Sequence, residues 1–78
     1  NDQVFFGATV TVADTDGSEN TYTIVGVDEA DVQRGRISWI SPLARALLKN
    51  REGESIRFQS PVGIRELEIV EVVYTALD

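Results

Sequence analysis

The sequence predicts an α+β domain: a twisted antiparallel sheet of about five strands with one helix on a face, in the order β-β-β-α-β-β. Three observations predict it. Four β-rich runs, mostly alternating apolar and polar residues with a period of two, fall as two pairs at the two ends of the chain. Between them a short β-prone piece, Ile37 to Ile40, stops at Ser41-Pro42 and gives way to one apolar stripe at helical spacing. The connections are short, so neighbours in sequence are expected to be neighbours in the sheet.

In order, Val4 to Ala13 places Val4, Phe6, Ala8, Val10 and Val12 on one face and Phe5, Gly7, Thr9 and Thr11 on the other. Gly7 inside the run predicts a bulge or a close approach of another backbone. Asp14-Thr15-Asp16-Gly17-Ser18 is a turn, with Gly17 available for positive φ. Thr21 to Val27 is the second strand of a hairpin, buried on both faces near its end. Gly26 to Gly35 is polar and lacks a period, which predicts a loop with room for one helical turn.

Ile37, Trp39 and Ile40 then form a strand that Pro42 cannot continue. Ser41 suits the N-cap, where its hydroxyl accepts a bond from a free amide of the first turn. Pro42 suits the first helical position, where a missing N–H costs nothing. The helix runs to Lys49, with Leu43 and Leu47 on one face and Ala44 and Leu48 beside them. Asn50-Arg51-Glu52-Gly53 ends it, Asn or Gly taking the left-handed position. Glu54 to Gln59 points Ile56 and Phe58 inward, and Ser60-Pro61-Val62-Gly63 turns the chain. In the last strand, Glu66 to Tyr74, the apolar phase switches from Leu67 and Ile69 to Val70, Val72 and Tyr74. That switch predicts a bulge or a strand covered on both sides.

Seventy-eight residues make a single domain, 1–78, with a modest core. The chain has no cysteine and no histidine, which removes disulfides and the usual zinc, thiol and imidazole chemistry. No apolar run reaches the roughly 20 residues of a membrane span, and no basic-then-apolar leader is visible. The chain begins Asn1-Asp2-Gln3 without an initiator methionine and reads as a piece cut from something longer. Thirteen acids against seven bases give a net charge of −6, which opposes direct binding to nucleic acid. The same acidity suits solubility or a basic protein partner.

The candidate chemistry is sparse. Asp14-x-Asp16-Gly17-x-Glu19 resembles the opening of a calcium loop, but position 12 of such a loop falls on Val25, where a bidentate Glu is needed. Asp28, Glu29 and Asp31 are three carboxylates in four residues. They suit Mg²⁺ chelation, an acid/base pair, a solvated acidic loop, or a contact loop for a basic partner. The six aromatic residues lie in acid-rich surroundings, which favours core packing over base stacking; Trp39, beside the strand-to-helix switch, is the one expected near the surface. No serine has a histidine to activate it, and no Gly-rich phosphate loop occurs. On chemistry alone the chain is a non-catalytic interaction domain, with no cofactor or metal.

Several segments occur together in a recognisable order: Val4-Phe5-Phe6-Gly7-Ala8, Ile24-Val25-Gly26-Val27-Asp28-Glu29-Ala30-Asp31, Ser41-Pro42-Leu43-Ala44-Arg45-Ala46-Leu47-Leu48, Ser60-Pro61-Val62-Gly63 and a closing Val-Val-Tyr. Over nearly its whole length the chain resembles the C-terminal domain of the bacterial transcript-cleavage and elongation factors GreA and GreB, more closely GreB. The resemblance implies an FKBP-like fold. It also implies a cytoplasmic protein whose C-terminal domain docks on RNA polymerase near the secondary channel, at the rim helices of the β′ subunit. The family's catalytic acids sit on an N-terminal coiled-coil domain that is absent here, so no catalytic residue is carried over. The docking surface implied on this chain comprises Asp28, Glu29, Asp31, Trp39, Ile40, Ser41 and Pro42. Two positions depart from the family. Ile40 stands where members often have Asp, and Val62 where they commonly have Gly or Ala. The alternatives are an FKBP-like peptidyl-prolyl isomerase, resting on fold analogy, and a stand-alone polymerase-binding regulator.

Overall fold

The computed structural model describes residues 2–74; Asn1, at the edge read as a cut, lies outside them. The elements follow the expected order. Strands β1 (Thr9–Ala13) and β2 (Glu19–Val25) lead through two short 3₁₀ turns, Val27–Glu29 and Val32–Arg34, to β3 (Arg36–Ser38). Helix α1 (Pro42–Leu47) and strands β4 (Ser55–Ser60) and β5 (Gly63–Val73) complete the domain. One curled sheet results, with strand order β3-β2-β1-β5-β4.

One pairing differs from the antiparallel sheet expected: β2 and β3 run parallel. The path of the intervening loop decides this. After β2 the chain doubles back, and Asp31 meets Arg36 in an antiparallel bridge, with N–H···O distances of 2.8 and 2.9 Å in the two directions. The turn between them then sends β3 forward again beside β2, where the Thr23 amide donates to the Gly35 carbonyl at 2.7 Å.

The core lies between the sheet and α1, which packs against β4 and β3. Val10, Val12, Ile24, Ile56, Leu67, Ile69 and Val72 enter it from the strands, and Ala44 and Leu47 from the helix. Leu43, Leu48 and Phe58 pack at its margin. Val25 is also buried, on the opposite side of its strand from Ile24, as the mixed pattern near the end of β2 predicts. On the far face of the sheet Thr9 pairs with Thr23 and Thr11 with Thr21, each hydroxyl pair 3.0 Å apart.

The phase switch in the last strand is a bulge. Thr11 opposes Glu71 and Val12 opposes Ile69, so Val70 is the extra residue and points out. That one insertion lets Leu67, Ile69 and Val72 all face the core. Beside the bulge, the Val72 amide donates to a carboxylate oxygen of Glu52 at 2.8 Å. Replacing Glu52 by alanine is expected to lower unfolding free energy by about 1–2 kcal/mol, because it strips a partly buried amide of its acceptor. Urea unfolding at constant m-value measures this, and an unchanged midpoint overturns it.

The first strand is shorter than its alternation suggests. Val4 is buried, but through pairing with the segment after α1: its amide donates to Asn50 O at 2.8 Å and its carbonyl accepts from Lys49 N at 2.7 Å. The chain then turns, Ala8 N donating to Phe5 O at 3.0 Å, with Gly7 at φ +91°. A Cβ on Gly7 would meet nothing within 4 Å, so the positive φ of the turn, and not crowding at the Cβ position, is what calls for glycine. The turn resets the phase, and Phe6, expected on the core face, is 59% exposed. Tyr74 fastens this segment: its hydroxyl accepts from Phe5 N at 2.9 Å and donates to Gln3 O at 2.5 Å.

The helix ends earlier than Lys49. Leu48 caps it, and Lys49 itself takes the left-handed conformation, φ +75°, in place of the expected Asn or Gly. Asn50 contributes by side chain instead, Nδ2 donating to Ala46 O at 2.8 Å. The Lys49 amide is committed to Val4 O, so tertiary pairing with the N-terminal segment overrides local preference.

The Asp14–Ser18 segment is the hairpin turn between β1 and β2, and its acids serve the turn. Asp14 Oδ1 accepts from Thr15 N at 2.7 Å, and Asp16 Oδ1 accepts from Ser18 N at 2.9 Å and from Ser18 Oγ at 2.6 Å. Asp14 also forms an ion pair with Arg65, whose guanidinium lies 5.9 Å from the centre of the Phe58 ring. The Arg65 guanidinium, helped by the Thr15 amide, holds the Asp14 carboxyl below its ordinary value of 3.8. The Ser18 hydroxyl and then its amide lower Asp16 likewise. A carboxyl depressed in the folded state binds protons less readily than in the unfolded chain. Its stabilisation is therefore full above the unfolded value and fades as pH falls through the folded one. Melting temperature is expected to decline below pH 3.8, and Asp14→Asn to flatten part of that decline. An acid limb identical in the variant rules the pair out as its source.

Candidate functional site

Each of the seven candidate residues lies in the stretch between the end of β2 and the start of α1. Trp39 and Ile40 are not strand residues as expected. β3 stops at Ser38, and Ser41 N donates to Ser38 O at 2.9 Å, closing a turn that puts both side chains about half in solvent. The turn is tied on three sides. Trp39 N donates to Val25 O at 2.9 Å, and Ile40 N to Ser38 Oγ at 3.2 Å. Ser41 Oγ accepts from Ala44 N at 3.2 Å, which makes Ser41 the N-cap with Pro42 in the first turn of α1, as its residue type predicts. Pro42 is exposed and Ser41 half-buried. The corner thus presents Trp39, Ile40 and Pro42 on a backbone with little freedom left to lose.

The acidic loop lies beside it, because β3 packs against both 3₁₀ turns. Its three carboxylates are not equivalent. Glu29 folds back and accepts from the Gly26 amide at 3.3 Å. Asp31 is half-buried, 3.5 Å from Arg34 Nε, and its backbone is paired with Arg36. Asp28 is exposed and has no ion-pair partner among the described residues. No group of three or more acidic side chains among the described residues is gathered closely enough to hold a metal. The loop and the corner together make an acid-edged apolar projection. That arrangement can bury against another surface, and it has no paired acid and base set for chemistry.

Phe6 and Val27 belong to the same end of the sheet, and sequence reasoning missed both. Gly7 N donates to Ile24 O at 2.9 Å, so Phe6 lies just beyond the end of β2 on its β1 side, while Trp39 lies there on its β3 side. Val27 begins the turn between them and is 55% exposed. The available signal was Gly7, whose positive φ ends the alternation that assigned Phe6 inward. At the far end of the sheet a shallow open cleft beside the β4–β5 hairpin is lined by Arg57, Phe58, Gln59 and Ile64.

Comparison with known proteins identifies the family. Residues 1–74 match the family model described as transcription elongation factor, GreA/GreB, C-term. Transcription elongation factor GreB of Neisseria meningitidis serogroup B is 53% identical over 77 residues, covering 99% of this chain and 47% of that protein. Transcription elongation factor GreA of Alkalilimnicola ehrlichii is 54% identical over 74 residues, covering 94% of this chain and 47% of that protein. Among solved structures, the GreA factor homolog Gfh1 of Thermus thermophilus superposes with a TM-score of 0.80 at 30% identity, covering 91% of this chain and 48% of that one. A GreA/GreB elongation factor from Nitrosomonas europaea gives 0.79 at 29% identity, covering 94% and 62%. The chain spans about half the length of the relatives it matches. It belongs to the GreA/GreB family of transcription elongation factors and corresponds to the family's C-terminal domain.

Proposed function

We propose that this domain is the RNA polymerase-docking part of a transcript-cleavage factor. It would bind near the secondary channel, at the rim helices of the β′ subunit, through the Trp39–Pro42 corner and the Asp28–Asp31 loop. The observation that carries this is the corner itself. In a chain of this family, an exposed Trp-Ile-Ser-Pro turn is fixed by hydrogen bonds to β2, β3 and α1 and bordered by carboxylates. A preformed corner loses little entropy on association. A border of acids, within a net charge of −6, suits a basic partner better than nucleic acid. In this role the domain performs no chemistry. It positions a factor whose cleavage acids would reside in an N-terminal helical hairpin, and it would work in the cytoplasm. No helix among the described residues is long and apolar enough to cross a membrane.

Binding of the 78-residue chain to an isolated β′ rim-helix fragment tests the proposal. Micromolar or tighter association is expected. Substituting Ser41 or Pro42 is expected to weaken it by about tenfold, the scale of a central interface residue, whereas Arg57, on β4, is expected to be neutral. A folded domain that shows no association at micromolar concentration sinks it.

A further inference from the structure

Building on the docking proposal above, we infer that Tyr74 is a positioning residue. With Arg51 it locks the segment 2–5 to the domain, so that the part of a full-length factor preceding this domain is held in a fixed direction relative to the proposed docking corner. The relatives are about twice as long as this chain, which matches the family's C-terminal domain, so in them such a part exists. The segment is held from two sides. On one side it pairs with the stretch after α1. Gln3 faces Arg51 in an antiparallel bridge, flanked by Val4 N donating to Asn50 O at 2.8 Å and Glu52 N donating to Asp2 O at 3.0 Å. In such a pair the backbone groups of Gln3 itself point away from Arg51. On that other side the Tyr74 hydroxyl takes the place of a neighbouring strand: it accepts from Phe5 N at 2.9 Å and donates to Gln3 O at 2.5 Å. A phenol is donor and acceptor at once, so one side chain fills two positions of a ladder.

Side chains extend the hold to Asp2. Arg51 Nη1 donates to Asp2 Oδ1 at 2.7 Å, and Gln3 Nε2 to Lys49 O at 2.8 Å. Burial does not call for these bonds. Within the segment only Val4 enters the core, whereas Asp2 and Phe5 are exposed, as is Tyr74 itself. The order therefore runs outward past the core toward the connection, where it sets a direction. This seat and the corner also belong to one rigid body. Helix α1 starts at the corner, is about 9 Å long and is fixed to the sheet by Ala44 and Leu47; the stretch 49–52 follows its cap. Tyr74 follows β5, which lies inside the sheet between β1 and β4. A reacting group carried by the preceding part is thus presented at a constant angle to the surface that docks, and misplacing such a group by about an ångström costs large factors in rate.

The test rests on Tyr74→Phe, which removes the hydroxyl and keeps the ring, and it has two readings. In the 78-residue chain, NMR backbone order parameters at Gln3 and Phe5 are expected at about 0.85 in the wild type and below about 0.6 in the variant, with β5 unchanged. In a full-length family member carrying this chain as its C-terminal domain, cleavage of backtracked RNA at saturating factor is expected to slow about tenfold, with the half-saturating concentration unchanged. Thermal melts verify folding. Arg51→Gln, acting from the opposite side of the segment, is expected to shift both readings the same way and serves as the test if Tyr74→Phe does not fold. Order parameters at Gln3 and Phe5 that are already low in the wild type overturn the seat. Normal cleavage by a variant whose segment has become mobile overturns the positioning role. A raised half-saturating concentration with an unchanged maximal rate makes the segment part of the docking surface and overturns the inference while docking stands. A wild type that docks without cleaving leaves no reaction to position and overturns it too. Failure of the wild-type chain to bind the β′ fragment overturns the docking proposal instead, and the order parameters still decide the seat.

Discussion

Leu47→Ala is expected to lower unfolding free energy by about 3–4 kcal/mol, the largest effect of any single side-chain truncation in this domain. Leu47 is fully buried, at the last position of α1, against the strand side chains of the core. Truncation removes its transfer free energy and leaves a cavity that a curled sheet cannot easily close. The effect is large relative to the whole: a 78-residue domain has a total of about 4–12 kcal/mol to lose. A six-residue helix has no stability of its own in water. It is held to the sheet by its apolar face, where Ala44 and Leu47 are the buried pair. Loosening Leu47 therefore also loosens the Ser41 cap and the corner it fixes, so under the docking proposal binding to the β′ fragment is expected to weaken too, although Leu47 is fully buried. Leu43, only partly buried, is the control, with an expected loss of about 1–2 kcal/mol on truncation. Denaturant unfolding of both variants decides it. Equal losses at the two leucines would mean that α1 is not anchored through Leu47.

What could be read from the sequence was the chemistry that a few neighbouring residues settle among themselves. Ser41-Pro42 starts a helix whatever surrounds it, because cap and proline act on adjacent backbone. The slip in apolar phase at Val70 could be read as a bulge because strand parity is strict. The two-residue loop Pro61-Val62 follows from its turn residues in the same way. The resemblance to the family rested on such local words, and the family assignment agrees with it.

What could not be read depends on partners distant in sequence. The alternation Val4-Phe6-Ala8 continues through Gly7 on paper, and only pairing of Val4 with Lys49 and Asn50 shows that the chain has already turned. The same pairing puts Lys49 in a left-handed conformation that neither its residue type nor its neighbours suggest. The parallel placement of β3 depends on the route of a loop without periodicity. In the candidate site the residue types were visible but their engagement was not. The exception is local: Glu29, three residues after Gly26, turns back on its amide as a capping-box residue while Asp28 turns to solvent, and a segment read as a loop without period did not assign that role. Phe6 was lost to the core for the same reason that the first strand was drawn too long.

Gly35→Ala tests whether that loop route is held by a single backbone position, and a loss of about 2–4 kcal/mol is expected. Gly35 has φ +73° and follows the second 3₁₀ turn. Left-handed backbone alone costs a residue with a Cβ about 1–2 kcal/mol. The larger part is steric: a Cβ here would come within 2.8 Å of the Thr21 carbonyl oxygen, and backbone in the middle of a sheet cannot step aside as a side-chain tip would. To relieve the clash Gly35 must move away from β2. Its carbonyl is the acceptor for Thr23 N, so the first bond joining the returning loop to β2 stretches as it moves. Gly17→Ala separates the two components. Gly17 has φ +88° but open space around its Cβ, so it should show only the conformational part. If the two alanine variants are equally destabilised in urea, the close approach to Thr21 contributes nothing. The displacement also reaches the proposed docking surface. Trp39 follows directly on β3, and the Asp31–Arg36 bridge ties the acidic loop to the strand's start. Gly35→Ala is therefore expected to weaken binding to the β′ fragment even under conditions where the domain remains folded, whereas Gly17→Ala, at the opposite end of β2, leaves binding intact. A folded Gly35→Ala variant that binds like the wild type would show that the corner keeps its geometry without the loop.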